Sequence, residues 1–188
     1  MSYQPKDFLT PEKYLALERQ AEFKSEYFAG EMYAMAGASR QHNLIVSNLI
    51  RILGNQLLEQ NCNVYPSDMR VKISKIDKYT YPDIVVACGE EKFEDNEGDT
   101  LINPVVIIEV LSESTEAYDR GKKFEHYQYI ESLAEYVLVA QEPYSIERYV
   151  RQHDEIWSYR GFHGIHDVVA LHTINCQLSM QDVYAKVV

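Results

Sequence analysis

The pattern of hydrophobic and polar positions begins with helical spacing and a hairpin. Thr10-Pro11-Glu12 predicts a helix start, with a capping hydroxyl, proline at the first helical position and an acid in the first turn. We expect that helix to run to about residue 20. The stretch 22–35 predicts a hairpin that turns at Ala29-Gly30. Ser39 then precedes a second amphipathic helix, expected to reach about residue 59.

Further along, strand patterns dominate. Runs rich in Val and Ile predict strands at 64–73, 81–87, 105–111, 136–140 and, as two strands, within 145–159. A helix is expected from Ser114 or Thr115 to about residue 131, and a short one after about residue 179. This order predicts a single domain over residues 1–188 with an α/β (α+β) fold, in which a mixed β-sheet is flanked by helices.

Two acids interrupt strands that are otherwise apolar. Glu109 lies within the run 104–111, and Asp83 leads into the apolar half of 79–87. An ionised carboxylate in apolar surroundings must be paired, bind a metal or take up a proton. If the two strands pair, opposing carboxylates lie roughly 5 Å apart. Because Mg²⁺ is held by one or two carboxylates together with water and phosphate oxygens, Asp83 and Glu109 predict a metal site.

The charge distribution places cations beside these acids. Lys122 and Lys123 lie on the helix that follows the Glu109 strand, and Lys123 is the preferred partner of the site. The net charge of −11 disfavours nonspecific coating of DNA, since phosphate binding is driven mostly by Lys and Arg. The acidic stretch 90–99 is expected to be a solvated loop. Basic residues nevertheless cluster near the two acids, at Arg70, Lys72, Lys75, Lys78, Arg120, Lys122 and Lys123.

Composition limits the class of protein. The 188 residues, 46% of them hydrophobic, suit one domain with a sizeable core. Cys62, Cys88 and Cys176 are far apart and include no CxxC pair, so we expect neither a disulfide framework nor a zinc site, and a cytoplasmic location. We expect no membrane association, because no apolar run approaches the roughly 20 residues that a span requires.

Several linked motifs resemble those of the Uma-two family, which belongs to the PD-(D/E)XK nuclease superfamily. The motifs are Tyr-Pro-Asp-Ile-Val-Val (81–86), Ile-Glu-Val-Leu-Ser-Glu-Ser-Thr (108–115), Tyr-Asp-Arg-Gly-Lys-Lys-Phe-Glu-His-Tyr (118–127), Glu-Tyr-Val-Leu-Val (135–139) and, upstream, Ser-Glu-Tyr-Phe-Ala-Gly-Glu (25–31) with His42. The resemblance covers residues from about 10 to about 149. It implies a restriction-endonuclease-like fold and hydrolysis of phosphodiester bonds, in DNA, that depends on Mg²⁺ or Mn²⁺. It also implies a homodimer.

The resemblance also assigns roles to residues. It makes Pro82-Asp83 the "PD" and Glu109 the "(D/E)" of the superfamily motif. Two positions further on, the lysine of that motif is replaced by Leu111. Members of the family place a lysine on the following helix instead, which implies Lys123. Glu26 matches the acid that the N-terminal segment contributes.

Other interpretations of the same residues are structural. Glu109 is also explained by a buried ion pair with Arg70 or Lys123, and Asp83 by entry into a strand after proline. Lys123 and Glu26 also suit solvated positions on a helix and a hairpin. Two other functions fit the pattern: a catalytically inactive nucleic-acid-binding or dimerisation module, favoured by Leu111 and the acidic charge, and a metal-dependent hydrolase of small phosphodiesters.

Overall fold

The computed structural model describes residues 8–153 and 156–187. Its helices are α1 (Pro11–Glu18), α2 (Arg40–Leu57), α3 (Glu116–Tyr118), α4 (Phe124–Tyr127) and α5 (Met180–Val183), with a π-helical turn at Asp119–Lys123 between α3 and α4. Its strands are β1 (Ser25–Phe28), β2 (Glu31–Ala34), β3 (Cys62–Pro66), β4 (Arg70–Ile73), β5 (Lys78–Thr80), β6 (Ile84–Cys88), β7 (Thr100–Leu101), β8 (Val106–Val110), β9 (Glu135–Ala140), β10 (Ser145–Arg151), β11 (Trp157–Phe162), β12 (Val168–Leu171) and β13 (Cys176–Ser179).

Local sequence signals set the N-terminal elements as predicted. The Thr10 hydroxyl accepts a hydrogen bond from the Lys13 N–H, and the Ser39 hydroxyl accepts one from the His42 N–H. Each cap satisfies a backbone donor that has no partner inside its helix. The hairpin turns at Ala29 and Gly30, whose φ angles are 50° and 82°. Positive φ at both central residues is the geometry of a tight two-residue hairpin turn, for which glycine is suited.

The strands form two main sheets and a small hairpin. One sheet has the order β2-β1-β5-β4-β7, the other has the order β11-β10-β9-β8-β6-β3, and β12 pairs with β13. In the larger sheet, β6 runs antiparallel to β8, whereas β8 and β9 are parallel. The parallel pair needs a crossover connection, which the helical segment α3–α4 provides.

The hydrophobic core lies on both faces of the larger sheet. Ile84 and Val86 face a cluster built from α2, α5 and the β12–β13 hairpin. Val85 and Ala87 face a second cluster, to which the smaller sheet and α4 contribute. This double covering explains why β6 and β8 have almost continuous apolar sequences. The prediction of a mixed sheet flanked by helices is confirmed.

One predicted strand was wrong in detail, and one hairpin was not predicted. The predicted strand 64–73 is two strands, β3 and β4, which belong to different sheets. A turn at residues 67–69 breaks it, and apolar alternation on both sides hid that turn. The β12–β13 hairpin was not predicted, although Cys176-Gln-Leu-Ser179 alternates buried and more exposed positions as a strand does.

The acidic stretch 90–99 is more structured than the predicted solvated loop. Asp99 lies 2.8 Å from Arg19 Nε and 2.8 Å from Arg70 Nη2, and Glu94 Oε1 lies 2.7 Å from Lys72 Nζ. Ion pairs therefore connect this segment to α1 and to the smaller sheet. Charge counting along the sequence does not show such pairs, because the partners are far apart in the chain.

The prediction that the cysteines form no disulfide was also wrong. Cys62 and Cys88 are bonded, and they lie directly opposite each other on the antiparallel strands β3 and β6. Their separation of 26 residues concealed this pairing. The cytoplasmic location therefore stays a prediction, and the cysteine content no longer supports it. In the described part of the chain, no helix combines the length and apolarity needed to cross a membrane.

Candidate active site

Asp83 and Glu109 lie beside each other at the end of the β6–β8 pair. Ile84 is opposite Ile108, and continuation of that antiparallel register sets Asp83 opposite Glu109. The Asp83 N–H points to Glu109 Oε2 at 3.4 Å. In the same place, Asp83 Oδ2 accepts a hydrogen bond of 2.7 Å from the Val110 N–H and lies 3.1 Å from His42 Nε2. The two strands therefore bring the predicted acid pair together.

Lys123 pairs with Glu109 from the π-helical turn. Its Nζ lies 2.8 Å from Glu109 Oε1 and 3.4 Å from Asp119 Oδ1. The Tyr127 hydroxyl donates to the same Glu109 oxygen at 2.8 Å. By contrast, Lys122 is exposed and pairs with Glu125. Of the two candidate lysines, Lys123 is the one that the fold places against the acids.

Glu26 reaches the cluster from the N-terminal hairpin. It accepts hydrogen bonds from the Thr80 hydroxyl and, at 3.4 Å, from the Tyr81 N–H. Its other oxygen lies 3.9 Å from Lys78 Nζ. Thr80 Oγ1 is also 3.5 Å from the Tyr127 hydroxyl, so a chain of polar contacts connects Glu26 to Glu109. The structure therefore brings all four predicted site residues, Glu26, Asp83, Glu109 and Lys123, into one cluster.

Burial dominates the electrostatics of the cluster. It raises the pKa of Glu109 above its ordinary value, although the neighbouring Lys123 acts in the opposite direction. Burial likewise raises the pKa of Asp119. Burial alone would lower the pKa of Lys123, but Glu109, Glu26 and Asp119 outweigh it and raise that pKa well above its usual value. Lys123 is therefore a fixed cation at neutral pH, and the buried acids resist ionisation.

The donor set fits a hard divalent cation. Asp83 Oδ2 and Glu109 Oε1 have close hydrogen-bond partners, whereas from the described residues Glu109 Oε2 accepts only the 3.4 Å contact with the Asp83 N–H. No hydrogen bond to Asp83 Oδ1 comes from the described residues. Each acid thus keeps one oxygen for a ligand. The cluster holds four acidic side chains, Glu26, Asp83, Glu109 and Asp119, and two lysines, Lys78 and Lys123.

Protein side chains alone do not complete a metal cage. Within residues 8–153 and 156–187, no group of three His, Cys, Asp or Glu side chains is placed to hold an ion. Two carboxylates suit Mg²⁺ nonetheless, because this ion keeps several waters and binds substrate phosphate. The residues present therefore fit Mg²⁺ better than they fit zinc, which favours a closed set of four protein ligands in structural sites.

Comparison with known proteins places the chain in a family. The model of the Uma2 family, described as "Putative restriction endonuclease", matches residues 11–181. The chain belongs to the Uma2 family. Two uncharacterised proteins of Synechocystis sp. are similar to it: sll1609 is 40% identical over 149 residues, covering 79% of this chain and 84% of that protein, and slr1290 is 34% identical over 176 residues, covering 94% and 91%.

A solved structure shares the fold of this Uma2 protein. It is a crystal structure from Anabaena variabilis ATCC 29413, described as "a putative nuclease belonging to DUF820". The two chains superpose with a TM-score of 0.78 at 20% identity, covering 96% of this chain and 99% of the other. At that identity, the likeness establishes a common fold.

Several residues that contact the cluster of acids and lysines in this Uma2 protein were not predicted as site residues. Lys78 had been grouped only with the nearby basic residues, although it is 1% exposed and lies beside Glu26. Asp119 and Tyr127 contact Lys123 and Glu109 from the helical segment. His42, named in the sequence analysis only among the residues that carry the family resemblance, contacts Asp83. The spacing of Asp119, Lys123 and Tyr127, four residues apart, places them on one helical face and was the available signal.

Proposed function

We propose that this protein is a metal-dependent endonuclease that hydrolyses phosphodiester bonds, with DNA as its substrate. One observation carries the proposal: two carboxylates on adjacent strands each keep an oxygen for a ligand, while a buried lysine pairs with one of them. Family membership and the nuclease description of a protein with the same fold support it. Assembly as a homodimer stays a prediction, which light scattering coupled to size-exclusion chromatography would test.

Asp83 and Glu109 would hold Mg²⁺ or Mn²⁺ in this proposal. When bound, the ion supplies Lewis-acid stabilisation of the charge that develops on the phosphate. His42 and the Val110 N–H fix Asp83 Oδ2, which would leave its other oxygen to bind the ion. Tyr127 and Lys123 fix Glu109 in the same way. Preorganised ligands of this kind need no rearrangement when substrate binds.

Lys123 has the role of a fixed positive charge. Since its pKa is raised well above the usual value, it keeps its proton at neutral pH and cannot act as a general base there. It balances the acids and orients groups at the scissile phosphate. Glu26 is held by Thr80 and Tyr81 and acts as an orienting acid at the edge of the cluster.

Calorimetric titration with Mg²⁺ tests the metal assignment. Wild type is expected to bind the ion, and Asp83→Ala to lose that binding, because one of two carboxylate ligands is removed. Glu125→Ala is the matched control, since Glu125 is an exposed acid that pairs with Lys122 away from the cluster. Equal binding by wild type and Asp83→Ala would defeat the assignment.

Incubation with supercoiled plasmid tests the reaction. In Mg²⁺ or Mn²⁺, wild type should nick the plasmid, and Glu109→Ala should be slower by roughly 100-fold or more, because a lost Lewis acid is worth several kcal/mol. Salt-sensitive binding without nicking would instead support a catalytically inactive nucleic-acid-binding module. Cleavage of small phosphodiesters but not of plasmid would instead support a metal-dependent hydrolase of small phosphodiesters.

A further inference from the structure

Tyr118 sits where the candidate site meets solvent. It ends α3, immediately before the π-helical turn that carries Lys123. Its side chain is 40% exposed, yet its hydroxyl is turned inward, 2.5 Å from Lys78 Nζ. The charges of Glu26, Lys123 and Glu109 all influence the pKa of the Tyr118 hydroxyl. A side chain that joins solvent to a buried charged cluster is well placed to touch a substrate.

Lys78 donates a hydrogen bond to the Tyr118 hydroxyl from the buried side of the cluster. It is 1% exposed, and its Nζ contacts the Tyr118 hydroxyl, lies 3.3 Å from His126 Nδ1 and lies 3.9 Å from Glu26 Oε2. An ammonium group has three donors and no acceptor, so its contact with the Tyr118 hydroxyl can only be a donated hydrogen bond, whereas Glu26 at 3.9 Å is an ion-pair partner beyond hydrogen-bond distance. Lys78 must therefore donate to Tyr118 and fix the position of its oxygen.

The hydroxyl hydrogen of Tyr118 is left to point elsewhere. The contact with Lys78 uses the hydroxyl as an acceptor, and among residues 8–153 and 156–187 no group accepts a hydrogen bond from it. Burial, helped by Glu26, raises the pKa of Tyr118 to about 12, so the hydroxyl keeps its proton at neutral pH. A hydroxyl that accepts from an ammonium is polarised and becomes a stronger donor itself.

We propose that Tyr118 is a substrate-contact residue that donates a hydrogen bond to a phosphate oxygen of the nucleic-acid backbone, with Lys78 as its positioning residue. Tyrosine hydroxyls commonly make this contact in nucleic-acid complexes. Such a contact fixes the register of the backbone over the carboxylates without reading base sequence. The inference rests on the proposed function, since it takes the ligand of the cluster to be a phosphodiester chain.

A pair of tyrosine variants tests the contact. Tyr118→Phe removes one oxygen and keeps the ring. Tyr129→Phe is the matched control, because Tyr129 is 37% exposed and has Lys75 Nζ 5.0 Å from its ring centroid, much as Lys78 lies 5.1 Å from the Tyr118 ring. Binding of a fluorescent DNA duplex is measured by anisotropy in EDTA, over a range of salt concentrations, with circular dichroism melts to verify folding.

Tyr118→Phe should bind the duplex roughly 10-fold or more weakly, as expected for loss of a hydrogen bond to a charged group. The slope of log affinity against log salt should not change, because that slope counts neutralised phosphates and the lost group is uncharged. Tyr129→Phe should bind like wild type. Lys78→Met keeps the Tyr118 hydroxyl without its anchor and should also weaken binding, which tests the pair even if Tyr118→Phe folds poorly.

The outcomes separate this contact from the proposed hydrolysis. Unchanged binding by Tyr118→Phe, equal losses in Tyr118→Phe and Tyr129→Phe, or absence of duplex binding by wild type would overturn the contact. Wild type that binds DNA but nicks no plasmid would overturn the hydrolysis, while the comparison of Tyr118→Phe with Tyr129→Phe still decides the contact.

Discussion

Lys123 shows how a single buried cation holds the candidate site together. Its side chain is 8% exposed and lies between Glu109 and Asp119, at 2.8 Å and 3.4 Å. Two buried acids with raised pKa values would otherwise stay protonated or destabilise the fold. The ion pair that one sequence interpretation offered as a purely structural role for Glu109 therefore exists, and it lies inside the proposed catalytic cluster.

Replacement of Lys123 by Met should lower the free energy of unfolding by about 3–5 kcal/mol, because it leaves two buried carboxylates without their partner. The acids then have still higher pKa values in the folded state. A folded-state pKa above the unfolded value removes stability as pH rises. Because the pKa of Glu109 is about 8 beside Lys123 and higher without it, the loss should be larger near pH 9.5 than near pH 5. Urea denaturation at both pH values measures this.

Lys122→Met is the control for that substitution. Lys122 is the adjacent residue, and both it and its partner Glu125 are more than half exposed. Its loss should change stability by less than about 0.5 kcal/mol. Equal destabilisation by the two variants would contradict the assignment of Lys123 as the buried charge.

At the scale of elements, the edge of the larger sheet is cross-linked. The β3 strand lies at the end of the sheet order, and the Cys62–Cys88 bond ties it to β6, the strand that leads out of Asp83. An edge strand has neighbours on one side only, so its attachment depends more on such a link than that of a central strand. The disulfide thus supports the strand that positions one of the two proposed metal ligands.

The double variant Cys62→Ser/Cys88→Ser should unfold with a free energy about 3 kcal/mol lower than that of oxidised wild type, as loop-closure entropy predicts for a cross-link of this span. Wild type treated with a reductant should match the variant. Denaturation midpoints measured with and without reductant provide the comparison. Identical midpoints for wild type under both conditions would show that the bond contributes nothing.

The sequence predicted elements where local chemistry determines them. The caps at Thr10 and Ser39, the turn at Ala29-Gly30 and the apolar strands around Asp83 and Glu109 depend on neighbours in the chain, and the structure has them as predicted. The π-helical turn within the predicted helix could not be anticipated, since no propensity rule distinguishes it from α-helix.

The sequence pattern could not predict contacts between segments that are distant in the chain. The Cys62–Cys88 bond depends on the pairing of β3 with β6, and the surroundings of Lys78 and the pairing of Asp99 with Arg19 depend on how separate elements pack together. Glu26 was connected to the site only through the family resemblance. Its hairpin pattern alone is equally compatible with a solvated acid, and nothing local indicates that Thr80 lies next to it.

At the scale of the whole molecule, a set of ion pairs connects the N-terminal helix to the acidic segment. Arg19 binds both oxygens of Asp99, and the buried Arg70 shares that carboxylate. The hydrogen bond from Arg19, supported by Thr100 and Arg70, holds the pKa of Asp99 well below its usual range. These contacts span 80 residues of sequence and hold the C-terminal end of α1 against the smaller sheet, whose strand β1 carries Glu26.

Asp99→Asn should lower the free energy of unfolding at neutral pH by about 1 kcal/mol, a modest value because the Asp99 side chain is 36% exposed and solvent screens the pair. A folded-state pKa below the unfolded value of about 4 gives stability that is present above pH 4 and is lost as pH falls further. The variant should therefore lose less stability than wild type between pH 5 and pH 3.

Urea denaturation over that pH range compares the two proteins. Asp68→Asn serves as the reference, because Asp68 pairs with Lys24 at 2.8 Å but is 86% exposed, so its removal should leave both stability and acid sensitivity unchanged. Parallel pH profiles for wild type and Asp99→Asn would exclude Asp99 as a source of acid sensitivity.

The scattering of the cluster along the chain has a consequence for biosynthesis. Glu26, Lys78 and Asp83 emerge from the ribosome first, but Glu109 and Lys123 come from the later strand and helical turn. A nascent polypeptide that ends before Glu109 therefore contains three of these five residues and cannot assemble the cluster. Whatever chemistry these side chains perform is therefore withheld until translation has passed Lys123.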